Sequence, residues 1–202
     1  MRNIFIRSLC TLLFSSVLGS TIFAAEQKAI FAGGCFWGVE AVFEHVKGVI
    51  GVRSGYAGGT KKTANYRDVS GGETKHAEVV EIRFDPAKIS YEQLLYVFFA
   101  VAHDPTELNR QGPDVGPQYR SAIFYADEKQ KTAVKVFIQA LETSKAFPKP
   151  VVTEIGPLVD FFEAEDYHQD YVVKNPKDPY IVAHDLPKLA ALKQKFPNLY
   201  VK

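Results

Sequence analysis

Residues 29–43 read AIFAGGCFWGVEAVF and join a predicted strand, a Gly-Gly turn and a predicted helix. The strand covers QKAIFAGG, where an apolar run meets the turn. The apolar residues after the turn recur at the spacing of a helix that Gly48 ends: Phe36, Val39, Val42, Phe43 and Val46. Cys35 stands between the turn and the helix, so the stretch that begins the fold also places a thiol at a helix start.

Outward from this stretch, strands and helices alternate with no linker, repeat or low-complexity tract after residue 26. Strands are predicted in four further segments: VIGVRSGYAGG, HAEVVEIRFDP, SAIFYA and PVVTEIG. Helices are predicted after three start signals: a Ser90–Gln93 capping box, Asp127 with Gln130, and Asp185 with Pro187. GPDVGPQYR is predicted as a loop, and FFEAEDYHQDYVVKNP fits a helix or a loop equally well.

This order of elements predicts the fold class. Several strands, HAEVVEIRFDP above all, alternate apolar with polar residues, so we expect half-buried strands and one less deeply covered sheet face. We predict a single α+β domain in which helices pack on a mixed or antiparallel sheet in two layers, as in a ferredoxin-like core. Long loops and a C-terminal helical tail complete it. An apolar content of 47% is ample for such a core.

Residues 1–24 have the pattern of a secretory signal peptide: Arg2 and Arg7, an apolar run over residues 9–18, and small residues up to Ala24. We predict cleavage after Ala24, a mature domain of residues 25–202, and export to the periplasm of a bacterial envelope. The alternative is an uncleaved segment that anchors the protein to the membrane, although the apolar run is short for a span. Cys10 follows Leu9, where a lipoprotein signal needs a small residue, so we assign it to the leader.

Charge and cysteine content narrow the classes of function. The chain has 24 basic and 23 acidic residues, a balance that gives no indication of binding to nucleic acid or to an anionic membrane. Cys35 is the single cysteine outside the leader, so the mature domain has a free or intermolecular thiol and no internal disulfide. A metal site is not indicated, because C-x-x-C is absent and the spacing of His103 and His168 does not call for a metal.

Two interpretations of Cys35 compete: a small core residue and a reactive nucleophile. At the first turn of a helix, free backbone N–H groups and a partial positive charge stabilise a thiolate, so we expect a lowered pKa and favour the nucleophile. Phe36 and Trp37 point about 100° apart on a helix. Either one packs inward while the other lies on the surface, or the pair forms an apolar wall that fits a small alkyl group; we favour the wall.

GCFWG resembles the active-site signature of the A-type peptide methionine sulfoxide reductases. The similarity continues in the family's order through GYAGG, NYRDV, KHAE, FDPAKISYEQLL, HDPTELNRQGPDVGPQYRSAIF and AEDYHQDY, and covers about residues 28–176. KHAE stands where the family has GHAE. The resemblance implies an oxidoreductase that reduces methionine-S-sulfoxide, free or in proteins, to methionine. It implies repair of oxidative damage and no metal or organic cofactor.

The resemblance also implies roles for the residues around the thiol. Cys35 would attack the sulfoxide sulfur and become a sulfenic acid, while Glu78 in KHAEVV would protonate the departing oxygen. Partial burial beside aromatic residues would raise the pKa of this carboxyl and keep it protonated, whereas an isolated glutamate at a strand end would be solvated. Phe36 and Trp37 would hold the terminal methyl group of the substrate.

Tyr66 in NYRDV and Tyr119 in PQYRS match two tyrosines whose hydroxyl groups, in that family, reach the sulfoxide oxygen. Phenol O–H groups are suitable donors to an oxygen that gains negative charge, and ordinary packing is the alternative for each. Asp114 in GPDVGP matches a site aspartate, for which we expect an orienting or water-binding role; a turn-forming aspartate is the alternative. The His103–Asp104 pair is expected to brace this loop.

The tail LPKLAALKQKFPNLYVK lacks the resolving cysteines that many members of the family carry there. We therefore expect a one-cysteine mechanism in which an external thiol regenerates Cys35. Thioredoxin-like proteins, glutaredoxin-like proteins and small thiols such as dithiothreitol all fit, and export favours a dedicated periplasmic donor over cytosolic thioredoxin. The other expected partners are oxidised proteins or peptides that contain methionine-S-sulfoxide.

Two other classes of function stay open on the residues alone. A cysteine hydrolase or acyltransferase would use His76 or His103 as the base for Cys35 and Asp114 as the orienting group, and it needs a histidine within hydrogen-bond reach of the thiol. A binding module without catalysis would recognise oxidised methionine through the aromatic pair beside the cysteine. Outside the hydrolase, His76 and His168 are expected to be structural or hydrogen-bonding scaffold.

Overall fold

The structure is a computed structural model that describes residues 25–202, and a six-stranded sheet forms its centre. Aromatic and β-branched residues, such as those of the run AEVVEIRF, favour extended backbone, and the segments rich in them form strands. In the described residues the strands are β1 (Gln27–Gly33), β2 (Val49–Ala57), β3 (Ala77–Phe84), β4 (Arg110–Gln111), β5 (Asp114–Val115), β6 (Ser121–Tyr125), β7 (Glu154–Pro157) and β8 (Phe161–Glu163).

The sheet has the strand order β7-β6-β1-β3-β2-β8, while β4 and β5 form a separate two-stranded hairpin. β6 and β7 are parallel, and the other neighbouring strands of the sheet are antiparallel. In the pairing of β2 with β3, Tyr56 lies opposite Glu78. The predicted mixed sheet is confirmed.

Six α-helices form within residues 25–202, and three of them start where the capping signals predict. Ser90 and Gln93 form the reciprocal hydrogen bonds of a capping box, and the Asp127 side chain accepts the Gln130 N–H. The helices are α1 (Phe36–Glu44), α2 (Tyr66–Ser70), α3 (Tyr91–Val97), α4 (Glu128–Thr143), α5 (Tyr171–Lys174) and α6 (Leu186–Lys195). Wider π-helical turns follow α3 over Phe98–Ala102 and precede α6 over Ile181–Asp185.

The two faces of the sheet are covered to different depths. On one face Phe31, Val80 and Ile82 pack against α1, α3, α4 and α6 in the main core. On the other face Ala32 and Val79 belong to a small cluster, against which Leu158 and Phe161 pack. This confirms a two-layer α+β domain in which one face carries the helices.

Three local predictions need correction. The segment FFEAEDYHQDYVVKNP is neither one helix nor one loop, because β8 adds to the free edge of β2 before the chain turns into α5. α1 ends at Glu44 rather than at Gly48. β3 lies between two strands and is buried along most of its length, so its alternation of polarity understates its burial.

The predicted helical tail is present and is packed against α1. α6 buries Leu192 in the main core. After α6 the chain forms backbone hydrogen bonds with the end of α1, from the Lys47 N–H to the Leu199 carbonyl at 2.7 Å and from the Val201 N–H to the His45 carbonyl at 2.9 Å. The C-terminal segment therefore helps to hold the helix that follows Cys35.

The signal peptide predicted for residues 1–24 lies outside the described residues and stays a prediction. Over residues 25–202, every helix is too short or too polar to cross a membrane.

Candidate active site

The turn between β1 and α1 presents the thiol. Gly34 has a φ of +91°, and a side chain there would meet Gln111 at 2.6 Å, so both backbone conformation and space require glycine. Cys35 is the next residue and lies directly before α1, and it is 8% exposed. The turn thus delivers a nearly buried thiol to the start of a helix.

The sulfur does not have the low pKa that its position at a helix start predicts. Burial raises the pKa of the Cys35 thiol well above its usual value, and the carboxyl groups of Glu78 and Asp185 add to the rise. The Trp37 backbone N–H and the Lys188 ammonium act in the opposite direction with smaller effect. The prediction of a lowered pKa is therefore wrong for the free protein, because desolvation outweighs the partial charge of a nine-residue helix.

Glu78 lies on β3 beneath the start of α1 and is 2% exposed. Its Oε2 atom accepts the backbone N–H of Phe36, the residue after Cys35, at 3.1 Å. Burial raises the pKa of this carboxyl to about 8, while the Phe36 N–H holds it down somewhat. Glu78 is therefore a neutral acid near pH 7 and not a solvated glutamate at a strand end.

Tyr66 and Tyr119 approach this carboxyl from two loops. Tyr66 begins α2, whose N-cap Asn65 accepts the Asp68 N–H, and Tyr119 ends a short 3₁₀ turn. Burial raises the pKa of both phenols, and the charges of Glu78 and Cys35 raise them further. The phenols therefore lie within electrostatic range of the thiol and of the acid, and both stay protonated donors at neutral pH.

Asp114 lies in the β4–β5 hairpin and accepts a hydrogen bond from the Tyr180 hydroxyl group. Its negative charge raises the pKa of Glu78 and of both phenols that face the site. Asp114 thus belongs to the site by position and binds a side chain directly. Tyr180 is one of the residues that the sequence did not indicate.

Phe36 and Trp37 diverge as expected for neighbours on a helix. Phe36 is buried, and its ring lies 4.9 Å from that of His168. Trp37 is half-buried and stacks on Tyr171 with ring centroids 3.7 Å apart, and its Nε1–H donates to His168 Nδ1 at 3.1 Å. Tyr180 meets the same indole edge-on at 6.0 Å. One aromatic packs inward, and the other belongs to an aromatic wall.

Three residues of this wall were missed or undervalued from the sequence: His168, Tyr171 and Tyr180. The spacing in YHQDY places a histidine and a tyrosine three residues apart, which could have indicated one shared face. Tyr180 has no such local signal, because only the folded chain brings it to Asp114 and the indole.

A buried ion pair lies against α1 at Gly38. Asp185 is fully buried and binds Lys188 at 3.1 Å. A side chain at Gly38 would collide with both groups. This explains the second glycine of GCFWG as room for an ion pair that acts on the pKa of Cys35.

The hydrolase geometry is not formed. His103 Nδ1 donates to the Phe98 carbonyl at 3.1 Å and its Nε2 lies 2.7 Å from the Ser121 hydroxyl, so it ties the π-helical turn to β6. His76 Nε2 donates to the Thr60 carbonyl at 3.0 Å. Both histidines hold neighbouring backbone segments in place, and neither is placed to act as a base for the Cys35 thiol. The Asp104 backbone exchanges hydrogen bonds with the Gln111 side chain, which braces the loop as predicted.

The side chains that could bind a metal ion do not cluster in the described residues. Over residues 25–202, no three His, Cys, Asp or Glu side chains lie close enough together to hold a metal ion.

Comparison with known proteins agrees with this geometry. The profile of the family described as peptide methionine sulfoxide reductase matches residues 27–199. Peptide methionine sulfoxide reductase MsrA 2 of Synechocystis is 54% identical over 179 residues, 89% of this chain and 84% of that protein. MsrA 2 of Mesorhizobium japonicum is 56% identical over 175 residues, 87% and 90% of the two chains.

Among solved structures, the crystal structure of reduced Mxr1 from Saccharomyces cerevisiae has a TM-score of 0.69 at 32% identity. The similarity covers 76% of this chain and 88% of that one. The fold and the sequence therefore lead to the same group of proteins.

Proposed function

We propose that Cys35 takes the oxygen from the substrate of this chain, which belongs to the peptide methionine sulfoxide reductase family and so reduces methionine sulfoxide. The substrate is the S epimer of methionine sulfoxide, in oxidised proteins and as the free amino acid, as the resemblance of the motifs implies. The proposal rests on one observation: the Cys35 thiol and the neutral Glu78 carboxyl lie at the same turn, where Glu78 accepts the backbone N–H of Phe36, the residue after Cys35.

The first step transfers one oxygen between two sulfur atoms. The Cys35 sulfur attacks the sulfoxide sulfur and forms an S–S bond while the protonated oxygen departs as the S–O bond breaks. That oxygen then bonds to the Cys35 sulfur, the S–S bond breaks, and methionine leaves with the electron pair of that bond. Cys35 keeps the oxygen and one proton as a sulfenic acid, so its sulfur is oxidised by two electrons while the methionine sulfur is reduced by two.

Proton transfer is the part of this step that Glu78 serves. Both the thiol and the carboxyl hold their protons in the free protein, because burial raises both pKa values. Glu78 donates its proton to the oxygen as the S–O bond weakens, and it recovers the thiol proton from Cys35. The acid therefore ends the step as it began, which suits a group whose pKa is about 8.

Tyr66 and Tyr119 assist by hydrogen bonding. Their hydroxyl groups donate to the sulfoxide oxygen while negative charge builds on it, a stabilisation that is strongest in a water-poor site. Phe36 and Trp37 hold the terminal methyl group. Asp114 orients this wall through the Tyr180 hydroxyl group.

Regeneration of Cys35 needs a thiol from outside the domain, since residues 25–202 contain one cysteine. A first external thiol attacks the sulfenic acid and releases water, which leaves a mixed disulfide at Cys35. A second thiol attacks the external sulfur of that disulfide and frees the Cys35 thiol. A thioredoxin-like or glutaredoxin-like protein, or a small dithiol, supplies both electrons.

Export is the proposed setting for this reaction. The basic, apolar and small-residue regions of residues 1–24 support cleavage and a periplasmic location, with retention as a membrane anchor the alternative. N-terminal sequencing of the protein recovered from the cell envelope distinguishes the two: a chain that starts near residue 25 supports cleavage, and one that keeps Arg2 and Arg7 supports the anchor.

Turnover with a defined substrate tests the proposed function. The protein is incubated with dithiothreitol and a peptide that contains methionine-S-sulfoxide, and methionine is measured; the R-sulfoxide peptide is the matched control. We expect turnover of the S peptide only, and none by Cys35→Ser. Full turnover by Cys35→Ser would remove the cysteine from the mechanism.

A further inference from the structure

Glu40 is a buried carboxyl that the proposed chemistry does not use. It lies on α1, is 1% exposed, and its Oε2 atom accepts the Asp170 backbone N–H at 3.0 Å. Its Oε1 atom is buried and has no partner within the described residues. Burial, together with the nearby Glu44 and Asp170 carboxyls, raises the pKa of Glu40 to about 8, so the acid form dominates at neutral pH.

The amide that Glu40 binds belongs to a constrained residue. Asp170 has a φ of +54°, in the left-handed region that L residues rarely adopt. Its neighbour Gln169 is fixed by hydrogen bonds from Ser54 N–H and to the carbonyls of Ser54 and Ala164. An αL residue persists where its surroundings hold it. The Glu40 carboxyl is the contact that reaches this residue's amide from α1.

Tyr171, the next residue, begins α5 and carries the ring that stacks on Trp37. Trp37 and Glu40 lie three residues apart on α1, hence on the same side of the helix. The contacts therefore close a ring: from α1 through Glu40 to Asp170, to Tyr171, to Trp37 and back to α1. The backbone conformation of Asp170 sets the direction of the chain into Tyr171, and therefore the position at which the Tyr171 ring meets the Trp37 indole.

We propose that Glu40 is a positioning residue whose carboxyl holds the Asp170 amide so that Tyr171 stays stacked on Trp37, and that it thereby shapes the wall that receives the substrate's methyl group. This inference rests on the proposed substrate contact of Trp37. The required feature is an acceptor oxygen at position 40, within reach of the Asp170 N–H. A glutamine keeps an acceptor oxygen and stays neutral at every pH, whereas alanine leaves the Asp170 N–H without one.

Trp37 is the only tryptophan of the chain, so intrinsic fluorescence reports its environment without any contribution from other indoles. The experiment compares Glu40→Ala and Glu40→Gln with Val42→Ala. Val42 is equally buried on α1 but faces the main core, so its truncation destabilises the same helix without touching Asp170.

In Glu40→Ala we expect Trp37 emission to move to longer wavelength and the KM for the methionine-S-sulfoxide peptide to rise about tenfold, while kcat changes much less, because a lost binding contact acts mainly on KM. Glu40→Gln should restore both emission and KM. Val42→Ala should lower stability and leave both unchanged.

Two results overturn the inference. One is a Glu40→Ala emission spectrum equal to that of wild type or of Val42→Ala, which would make Glu40 merely structural. The other is a changed spectrum with an unchanged KM. If wild type itself fails to reduce the peptide, the proposed function fails instead, and the emission of the three variants still decides whether Glu40 holds the stack.

Discussion

Two buried carboxyl groups beside α1 share their local chemistry and differ in what surrounds them. Glu78 lies below the start of the helix and Glu40 lies on its flank; each accepts one backbone N–H, and burial raises the pKa of each to about 8. Beyond these contacts, Glu78 faces a thiol and two phenols. Glu40 faces Asp170 and the segment that carries Tyr171.

The comparison teaches that a perturbed pKa does not by itself identify an acid catalyst. Both groups keep a proton at neutral pH, but Glu78 lies beside the Cys35 turn, where the proposed reaction takes place, whereas Glu40 lies on the flank of α1. The same protonated state would serve acid catalysis in the role proposed for Glu78 and hydrogen-bond acceptance in the role proposed for Glu40. The neighbours of a carboxyl, rather than its pKa, therefore decide its role.

The largest expected difference between the two is in the rate of oxygen transfer. Glu78→Gln should slow the first step about 10²–10⁴-fold, since a positioned acid contributes that much. Glu40→Gln, which keeps the acceptor and the geometry, should stay within about threefold of wild type. Single-turnover measurement of methionine formation without reductant compares the two. Equal rates for wild type and Glu78→Gln would remove Glu78 as the acid.

Glu78 and Glu40 are expected to have the same effect on the pH dependence of the free energy of unfolding. In wild type each folded carboxyl, with a pKa near 8, keeps a proton that the unfolded chain releases near pH 4.5, so stability falls as pH rises between these values. A glutamine at either position does not titrate, so each Glu→Gln variant does not lose stability in this way. Relative to wild type, each should gain roughly 3–4 kcal/mol between about pH 5 and pH 8.

Urea unfolding at the two pH values measures this gain. Asp85→Asn serves as the control, because the pKa of the half-buried Asp85 is lowered rather than raised. A flat difference between Glu78→Gln and wild type across this range would show that the carboxyl is already ionised in the folded protein.

Among the site residues, the phenols are expected to have a smaller effect on the first step than Glu78. Tyr66→Phe and Tyr119→Phe should each slow the first step about tenfold, because each removes one of two donors to the same oxygen. Tyr91→Phe is the matched control: it also removes a buried hydroxyl group, but one on α3 in the main core. If Tyr91→Phe slowed the step as much as the other two, the phenols would act through packing alone.

The elements of the fold that depend on local signals could be predicted from the sequence. The strand, Gly-Gly turn and helix around Cys35 follow from short-range patterns, as do the helix starts at Ser90 and Asp127. β8 could not be predicted, because three residues of strand exist only through pairing with β2. The αL conformation of Asp170 also depends on contacts distant in sequence.

The site divides in the same way. The resemblance of the motifs indicated Glu78, which is 42 residues from the Phe36 amide that it binds; no spacing rule connects them. The raised pKa of Cys35 escaped prediction because burial and the charges of Glu78 and Asp185 come from other elements. Tyr171 and Tyr180 were missed because their ring contacts with Trp37 form only in the folded chain.

The central claim is that Cys35 takes the oxygen, and mass spectrometry after a single turnover tests it most directly. The full chain and its Cys10→Ser variant each receive one equivalent of methionine-S-sulfoxide peptide without reductant, followed by peptide mapping. The account predicts one methionine formed per chain and one added oxygen on Cys35 in both proteins. Methionine formed with Cys35 unmodified, or a Cys10–Cys35 disulfide as the only product, would contradict it.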